Sequence, residues 1–352
     1  MIIMQKPLRY IAQHLKNIIL SEMLGVYEAK PMFTDVFSNE TIQNGINAHR
    51  GFLHKLCNYL FINGDKHDKP KKIAHPFSDR VSLPSNYPFL KYIENVLVGI
   101  AVNGELNISN DVLMVDSVKF RTDLAKIPII KVAECMGCLS DNGFCFSRID
   151  LTGSKVNFTS EIFEVSYPEN PALLTGIKIM SKAKFIFEGT GIYGILLRCD
   201  YRAVLRDELK SSCFLKDMIR PLPIENQEYI LELHNRYLST GFQCTVNIVD
   251  ELCIRFFYLY KRKEIWSIII SANNGYELAV RSKHTDEYDG IVEKFHPYLR
   301  DKISKGYGCD KKREPNSYCQ GGCKGYRISL TDSLSHISND LVTWIDNELL
   351  FV

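Results

Sequence analysis

The sequence predicts an α+β protein: a helical N-terminal half with a winged-helix-like unit, then a C-terminal antiparallel meander flanked by helices. Three observations indicate this class. Apolar residues recur at helical spacing between Pro7 and Phe61. Apolar and polar residues alternate, as in strands, through most of the stretch from Cys244 to Val280. Within that stretch, Asn273–Gly275 is a typical hairpin turn.

The chain has 352 residues, which is enough for two or three domains. We predict three regions: an N-terminal helical region over 1–86, a winged-helix-like α+β region over 87–218, and a sheet domain over 219–352. A basic, proline-containing loop from Lys66 to Asn86 suggests the first boundary. The segment Ile219–Pro223, which contains two prolines, is the predicted linker before the sheet domain.

In the middle region the predicted order is helix, turn, helix and a two-stranded ribbon, which is typical of a winged helix. Its recognition helix would be Ile127–Leu139, and its wing tip would be Thr152–Lys155. Such a unit contacts DNA bases through the exposed helix face and the backbone through the wing. The helix contains Lys131 but no arginine, whereas a DNA-binding surface is usually a clustered basic face. A protein-contact or structural role is the alternative.

In the last region an amphipathic helix over Asn226–Thr240 precedes the predicted strands, and Gly241 is placed as its C-cap. Helices over Asp289–Lys305 and Ser338–Leu350 follow the strands. The aromatic residues of the sheet can be interpreted as core or as the lining of a small-molecule pocket, and core packing is favoured. They are Phe256, Tyr258, Tyr260, Trp266 and Tyr276.

A cysteine-rich loop, Gly306–Arg327, has a composition that packing alone explains poorly. Cys309, Cys319 and Cys323 lie among glycines and basic residues. Structural zinc takes four ligands, commonly cysteines in closely spaced pairs, and Cys319 and Cys323 form such a pair. The sequence therefore predicts a zinc site at these three cysteines. Residues considered for the fourth ligand are His296, His284, Cys253 and Cys244.

Other interpretations of this loop stay open. The cysteines could pack beneath the following helix, or Cys319 and Cys323 could form a redox pair. A thiolate favoured by the basic neighbours could also act as a nucleophile. Elsewhere, Cys135 and Cys138 on the predicted recognition helix and Cys145 after it favour core packing over a second metal site, because free cysteine is commonly buried.

The composition also limits which functional classes the protein can belong to. The net charge of +2 gives no strong global field for nucleic acid or membrane, and 45% hydrophobic residues are ordinary for a globular protein. Eleven cysteines scattered through apolar segments indicate reduced thiols and a cytoplasmic location. We expect no membrane partner, because no window approaches the roughly 18 apolar residues of a membrane span. Motifs for phosphate loops, zinc proteases or serine hydrolases do not occur.

Three motifs carry a resemblance to other proteins: Asp141–Phe146 (DNGFCF), Ser166–Met180 (SYPENPALLTGIKIM) and the segment Lys305–Leu330 around the cysteines. Through them the whole chain resembles a family of uncharacterised bacterial proteins. The resemblance implies a family but no activity, ligand or site residue.

The sequence thus supports three functional hypotheses. The first is a cytoplasmic binding or regulatory protein with a structural zinc site at Cys309, Cys319 and Cys323. The second is a cysteine-dependent or metal-dependent enzyme with its site at the same loop. The third is a DNA-binding protein that uses Ile127–Leu139.

Overall fold

The computed structural model divides the chain into two compact units, Met1–Leu209 and Lys210–Val352. The division into three regions that the sequence suggests stays a prediction. The structure describes residues 8–23, 27–67, 88–107, 111–127, 131–151, 155–188, 193–207, 209, 211–250, 252–272, 274–305 and 325–352.

The described part of the N-terminal unit is mainly helical, as predicted. Its helices start where short polar side chains satisfy free backbone amides: the Ser38 hydroxyl accepts from the Thr41 amide at 3.1 Å, and Asp116 caps another helix in the same way. The helices are α1 Leu8–Ile18, α2 Pro31–Thr34, α3 Asn39–Asn63, α4 Pro88–Asn103, α5 Ser117–Ala125, α6 Val132–Asp141 and α7 Ala172–Phe187.

Helices α3 and α7 approach each other through paired glycines. A Cβ atom added at Gly45 would lie 2.8 Å from the Gly176 amide nitrogen, and one added at Gly176 would lie 2.0 Å from the Gly45 carbonyl oxygen. Only glycine permits such close backbone contact. Buried residues beside this contact, such as Ile46 and Ile177, form the core of the unit.

The N-terminal unit also contains a small antiparallel sheet in the order β1-β2-β6-β3 and a separate two-stranded ribbon, β4-β5. The strands are β1 Gly104–Asn107, β2 Val112–Asp116, β3 Cys145–Ser147, β4 Ile149–Asp150, β5 Asn157–Phe158 and β6 Ile162–Ser166. The predicted wing tip at 152–154 lies outside the described residues, and so does 128–130 of the predicted recognition helix. The winged-helix interpretation stays a prediction.

The cysteines of α6 are part of the core. Cys135 and Cys138 are buried, whereas Cys145 in β3 is exposed. Burial raises the pKa of the Cys138 thiol to about 12, so it stays protonated near neutral pH. These two thiols therefore pack as small apolar side chains.

The C-terminal unit confirms the predicted antiparallel meander flanked by helices. Its five-stranded sheet has the order β11-β10-β9-β8-β7. The strands are β7 Gln243–Asp250, β8 Cys253–Tyr260, β9 Lys263–Ser271, β10 Gly275–Arg281 and β11 Gly325–Ser329. The helices are α8 Ser211–Met218, α9 Ile224–Ser239, α10 Asp289–Val292, α11 Pro297–Lys305 and α12 Ser338–Leu349.

Two predicted boundaries in this unit were wrong. Residues 325–327, predicted as the end of the cysteine-rich loop, begin β11 and pair with β10. The single helix predicted over Asp289–Lys305 is divided into α10 and α11. Pro297 opens α11 because it has no amide hydrogen to continue a preceding helix.

One face of the five-stranded sheet is covered by helices. Phe214 of α8 packs on Phe256, with ring centroids 5.5 Å apart, and Tyr237 of α9 packs on Trp266 at 5.7 Å. Tyr258 stacks on Trp266 within the sheet, with centroids 3.5 Å apart. The aromatic residues on this face are thus core, as favoured from the sequence.

Candidate functional site

A cavity of about 210 Å³ lies at one end of the five-stranded sheet. It is formed by the start of β9, the end of β10 with the loop that follows, and the C-terminal end of α12. Its charged and polar lining residues are Lys263, Glu264, Arg281, Lys283, His284 and Glu348. We refer to it as the Glu348 cavity.

Glu348 is a buried carboxylate, 2% exposed, in the last turn of α12. Its Oε1 accepts hydrogen bonds from the Tyr288 hydroxyl at 2.5 Å and from the Ser282 hydroxyl at 3.2 Å. The backbone amides of Lys283 and His284 donate to the same carboxylate at 3.0 and 3.1 Å. The side chain therefore fixes the loop 282–284 at the wall of the cavity.

Tyr288 remains a hydrogen-bond donor in this network. Burial, strengthened by the contact with Glu348, raises the pKa of its phenol. The hydroxyl therefore stays protonated and donates to the carboxylate. Trp344 completes the surroundings, because its indole nitrogen donates to the Ser282 hydroxyl at 3.0 Å.

His284 is held on two sides. Its Nδ1 lies 3.3 Å from Glu348 Oε2, and its ring stacks on Phe351 with centroids 4.7 Å apart. A carboxylate at Nδ1 favours the tautomer with the proton on that nitrogen, and Nε2 is then an acceptor in the neutral ring. The geometry presents His284 to the cavity in a fixed orientation.

The cations around the cavity fall into two groups. Arg281 Nε lies 3.0 Å from Glu264 Oε1, so these two charges compensate each other. The ammonium groups of Lys263 and Lys283 have no carboxylate within ion-pair distance among the described residues. Both lysines are exposed, and together they outweigh the single charge of Glu348, so the cavity has a net positive charge beside His284.

The turn between β8 and β9 brings further positive charge. Lys261 and Arg262 both have left-handed backbone conformations, with φ of +45° and +66°. A two-residue hairpin of this kind favours asparagine and glycine, and side chains such as these cost energy there. Unfavourable backbone conformations that persist often mark functional sites. Here they place two cations directly before Lys263.

The sheet face opposite the helices carries three arginines, of which Arg327 pairs with Glu277 at 3.1 Å and Arg281 pairs with Glu264. Arg255 follows buried Ile254, and Arg327 precedes buried Ile328, so both side chains belong to that face. Burial is the main reason that the pKa of Arg255 is lowered; the charge of Glu264 opposes this shift, and the charges of Arg281 and Arg327 add to it. The three arginines are thus electrostatically coupled, and Arg281 belongs to both the face and the cavity.

The predicted zinc ligands Cys309, Cys319 and Cys323 lie outside the described residues, so the zinc site stays a prediction. In the part of the chain that the structure describes, no three His, Cys, Asp or Glu side chains come together as a metal site. Of the candidates for the fourth ligand, His284 contacts Glu348 through Nδ1. Burial raises the pKa of the Cys244 thiol to about 11.

The sequence analysis did not identify Glu348, Ser282 or Lys263. The run Lys261–Lys263 between two predicted strands was a usable indication of a basic hairpin tip. No comparable indication existed for Glu348, because it lies in an ordinary amphipathic helix and its partners are 60 to 66 residues away in the chain.

Comparison with known proteins gives no match to any family model, curated protein or solved structure. The resemblance to uncharacterised bacterial proteins therefore stays a prediction. Among the helices that the structure describes, none has both the length and the apolar character needed to cross a membrane.

Proposed function

We propose that this chain is a binding or regulatory protein whose C-terminal unit binds an anionic ligand in the Glu348 cavity. The observation that carries the proposal is the pair Lys263 and Lys283. Both line the cavity, and neither ammonium group has a carboxylate partner among the described residues. An anionic group would supply the missing counter-charge.

The size of the cavity limits what it encloses. Its volume of about 210 Å³ is below the roughly 300–1,000 Å³ of sites for drug-sized ligands. The enclosed part of the ligand is therefore small, such as one phosphate or carboxylate group. The rest of a larger ligand would extend toward the Lys261–Arg262 turn.

Electrostatics support binding of modest strength. A unit charge about 4 Å from an ammonium group gains roughly 1 kcal/mol in water and about 4 kcal/mol near a protein surface. Glu264 and Glu348 oppose part of this attraction. The fixed loop 282–284 favours binding, because it needs little further ordering when the anion arrives.

Calorimetric titration of the full chain with inorganic phosphate, pyrophosphate and citrate tests the proposal. The double variant Lys263→Ala/Lys283→Ala should bind the best of these anions at least about tenfold more weakly. Its matched control is Lys216→Ala/Lys294→Ala, which removes the same charge from exposed positions of the same unit. Equal loss in both double variants, or no binding of any anion at millimolar concentration, would refute the proposed site.

The structural zinc site is a second proposal, supported by the spacing of Cys309, Cys319 and Cys323. The cytoplasmic location proposed from the eleven cysteines would keep these thiols reduced. Elemental analysis of untagged protein should give about one zinc ion per chain, lost together with folding in chelator. A metal-free protein in which Cys319 reacts rapidly with iodoacetamide would favour the cysteine-dependent enzyme instead.

DNA binding through Ile127–Leu139 is the remaining alternative, supported by the order of elements predicted from the sequence. A gel shift should then weaken steeply as salt rises, because phosphate contacts release counterions. Binding that is insensitive to salt would count against it.

A further inference from the structure

A second cavity, of about 390 Å³, lies in the N-terminal unit and is separate from the site proposed above. It is formed by α2 and the turn after it, the C-terminal end of α4, and α7. Its walls are mostly apolar and include Met32, Phe33, Val36, Val102, Ile179 and Phe185. The volume is within the roughly 300–1,000 Å³ typical of small-molecule sites.

The apolar lining is unusually open to solvent. Phe185 is 86% exposed, Val36 63% and Val102 59%, and all three border the same cavity. Single exposed apolar residues are common, but several around one concave surface usually mark a binding site. A bound apolar chain would remove this surface from water.

The polar groups of this cavity are few and of one sign. Lys178 and Lys182 line it, and no acidic residue does. Lys182 Nζ donates to the Met32 carbonyl at 2.7 Å, and Lys178 Nζ donates to the Ala101 carbonyl at 3.1 Å and to the Gly104 carbonyl. Each ammonium group retains hydrogen-bonding capacity, since it has three donors.

Neither lysine is within ion-pair distance of a carboxylate among the described residues. Burial lowers the pKa of Lys178, and the charge of Glu105, which does not line the cavity, opposes part of this effect. The hydroxyl of Ser181 also lines the cavity; it is buried and has no hydrogen-bond partner in the described part of the chain. One anionic head group would compensate the lysines.

We propose that this cavity binds a fatty acid, with the alkyl chain along the apolar walls and the carboxylate at Lys178 and Lys182. Charge complementarity supports this occupant, because the cavity combines a long apolar lining with positive charge and contains no carboxylate of its own. A cationic amphiphile would place like charge beside Lys178 and Lys182. An anion without a chain would leave the apolar walls in water.

Titration of the full chain with laurate below its micelle concentration tests the proposal. In the Lys263→Ala/Lys283→Ala double variant, which lacks the anion site of the Glu348 cavity, laurate should bind and acetate should not bind detectably. Dodecyltrimethylammonium should bind at least about tenfold more weakly than laurate, because the same chain then carries the opposite charge. Equal binding of the two dodecyl compounds would overturn the proposal.

Variants test the location of the bound chain. Val102→Trp should fill the cavity and weaken laurate binding at least about tenfold, whereas Val118→Trp, at another exposed helical valine, should not. Lys182→Gln should weaken laurate but leave dodecanol unchanged, and Lys119→Gln is its control. Unchanged laurate binding in both Val102→Trp and Lys182→Gln would refute the site.

Two further measurements separate this proposal from other possibilities. The double variant Lys263→Ala/Lys283→Ala should bind laurate normally, so failure of one proposed site does not decide the other. Sedimentation should show the same oligomeric state for the parent and Val102→Trp. A dimer that Val102→Trp dissociates and laurate leaves intact would assign this surface to a second copy and overturn the proposal.

Discussion

Among the residues that the structure describes, each unit buries one glutamate completely or nearly so, and the two are stabilised in different ways. Glu94 in α4 is 0% exposed and lies between Lys91 Nζ at 2.9 Å and Lys184 Nζ at 3.1 Å. Glu348 in α12 is surrounded by uncharged donors from a tyrosine, a serine and two backbone amides. The same group is thus compensated by charge in one unit and mainly by hydrogen bonds in the other.

The difference shows what each carboxylate does. Both Glu94 oxygens are at ion-pair distance from lysine, although the angles are outside hydrogen-bond geometry. That arrangement cancels charge without fixing a loop. The directional hydrogen bonds of Glu348 fix the backbone of 283–284 and orient His284. Glu94 therefore serves packing of the helices, whereas Glu348 shapes a cavity.

The largest effect should come from Glu348→Ala. It leaves several buried donors unsatisfied at about 1–3 kcal/mol each, and partial relaxation should limit the total loss of unfolding free energy to on the order of 3–5 kcal/mol. Urea unfolding followed by tryptophan fluorescence measures it, because both tryptophans, Trp266 and Trp344, lie in this unit. Exposed Glu293→Ala is the control. A loss of unfolding free energy no greater than in the control would show that Glu348 does not have this structural role.

His49 gives the N-terminal unit a pH dependence. It is buried, its Nε2 donates to the Leu196 carbonyl at 2.9 Å, and burial lowers its pKa to about 4. Between its ordinary value near 6.5 and about 4, only the unfolded chain binds the proton. Stability of this unit should thus fall by about 3 kcal/mol as pH drops through that window.

Hydrogen exchange of α3 amides, measured from pH 7 to pH 4 and corrected for intrinsic rates, follows this loss. His49→Gln should flatten the profile, and His336→Gln, at an exposed position of the other unit, should leave it as in the parent. A parent profile that is flat between pH 6.5 and 4 would contradict the assignment.

Glu94→Gln should cost about 2 kcal/mol, less than Glu348→Ala. Lys91 is partly exposed and can be solvated, and Lys184 retains its contact with Glu188, so no buried charge is left without a partner. Hydrogen exchange of α4 amides measures the change. A cost above that of Glu348→Ala would reverse the comparison between the two carboxylates.

The smallest effect concerns the strained turn. Lys261→Asn/Arg262→Gly should stabilise the C-terminal unit by about 1 kcal/mol, because the new residues suit the left-handed conformation. It should also weaken binding of phosphate or pyrophosphate in the Glu348 cavity. Tryptophan-monitored urea unfolding and calorimetry give the two quantities. A destabilised variant would show that the turn carries no strain.

The five-stranded sheet could be predicted because apolar and polar residues alternate along each of its central strands. The edge strand β11 could not, since residues 325–329 follow a glycine-rich segment and extend only when β10 supplies hydrogen bonds. The Glu348 cavity could not be predicted either, because it also depends on contacts between distant parts of the chain. The Glu348 carboxylate and its donors are separated by 60 to 66 residues, so no motif in the sequence indicates that they are in contact.

The paired glycines of α3 and α7 limit how this sequence can change. At most helix contacts, an enlarged side chain can be offset by a smaller one opposite, so substitutions accumulate in pairs. Gly45 faces the Gly176 backbone, and neither position has a side chain left to reduce. Compensation would require the two helices to separate, which would also move His49, whose Cβ lies 3.0 Å from a Cβ built at Gly176. Related sequences should therefore keep both glycines or lose both together with this helix packing.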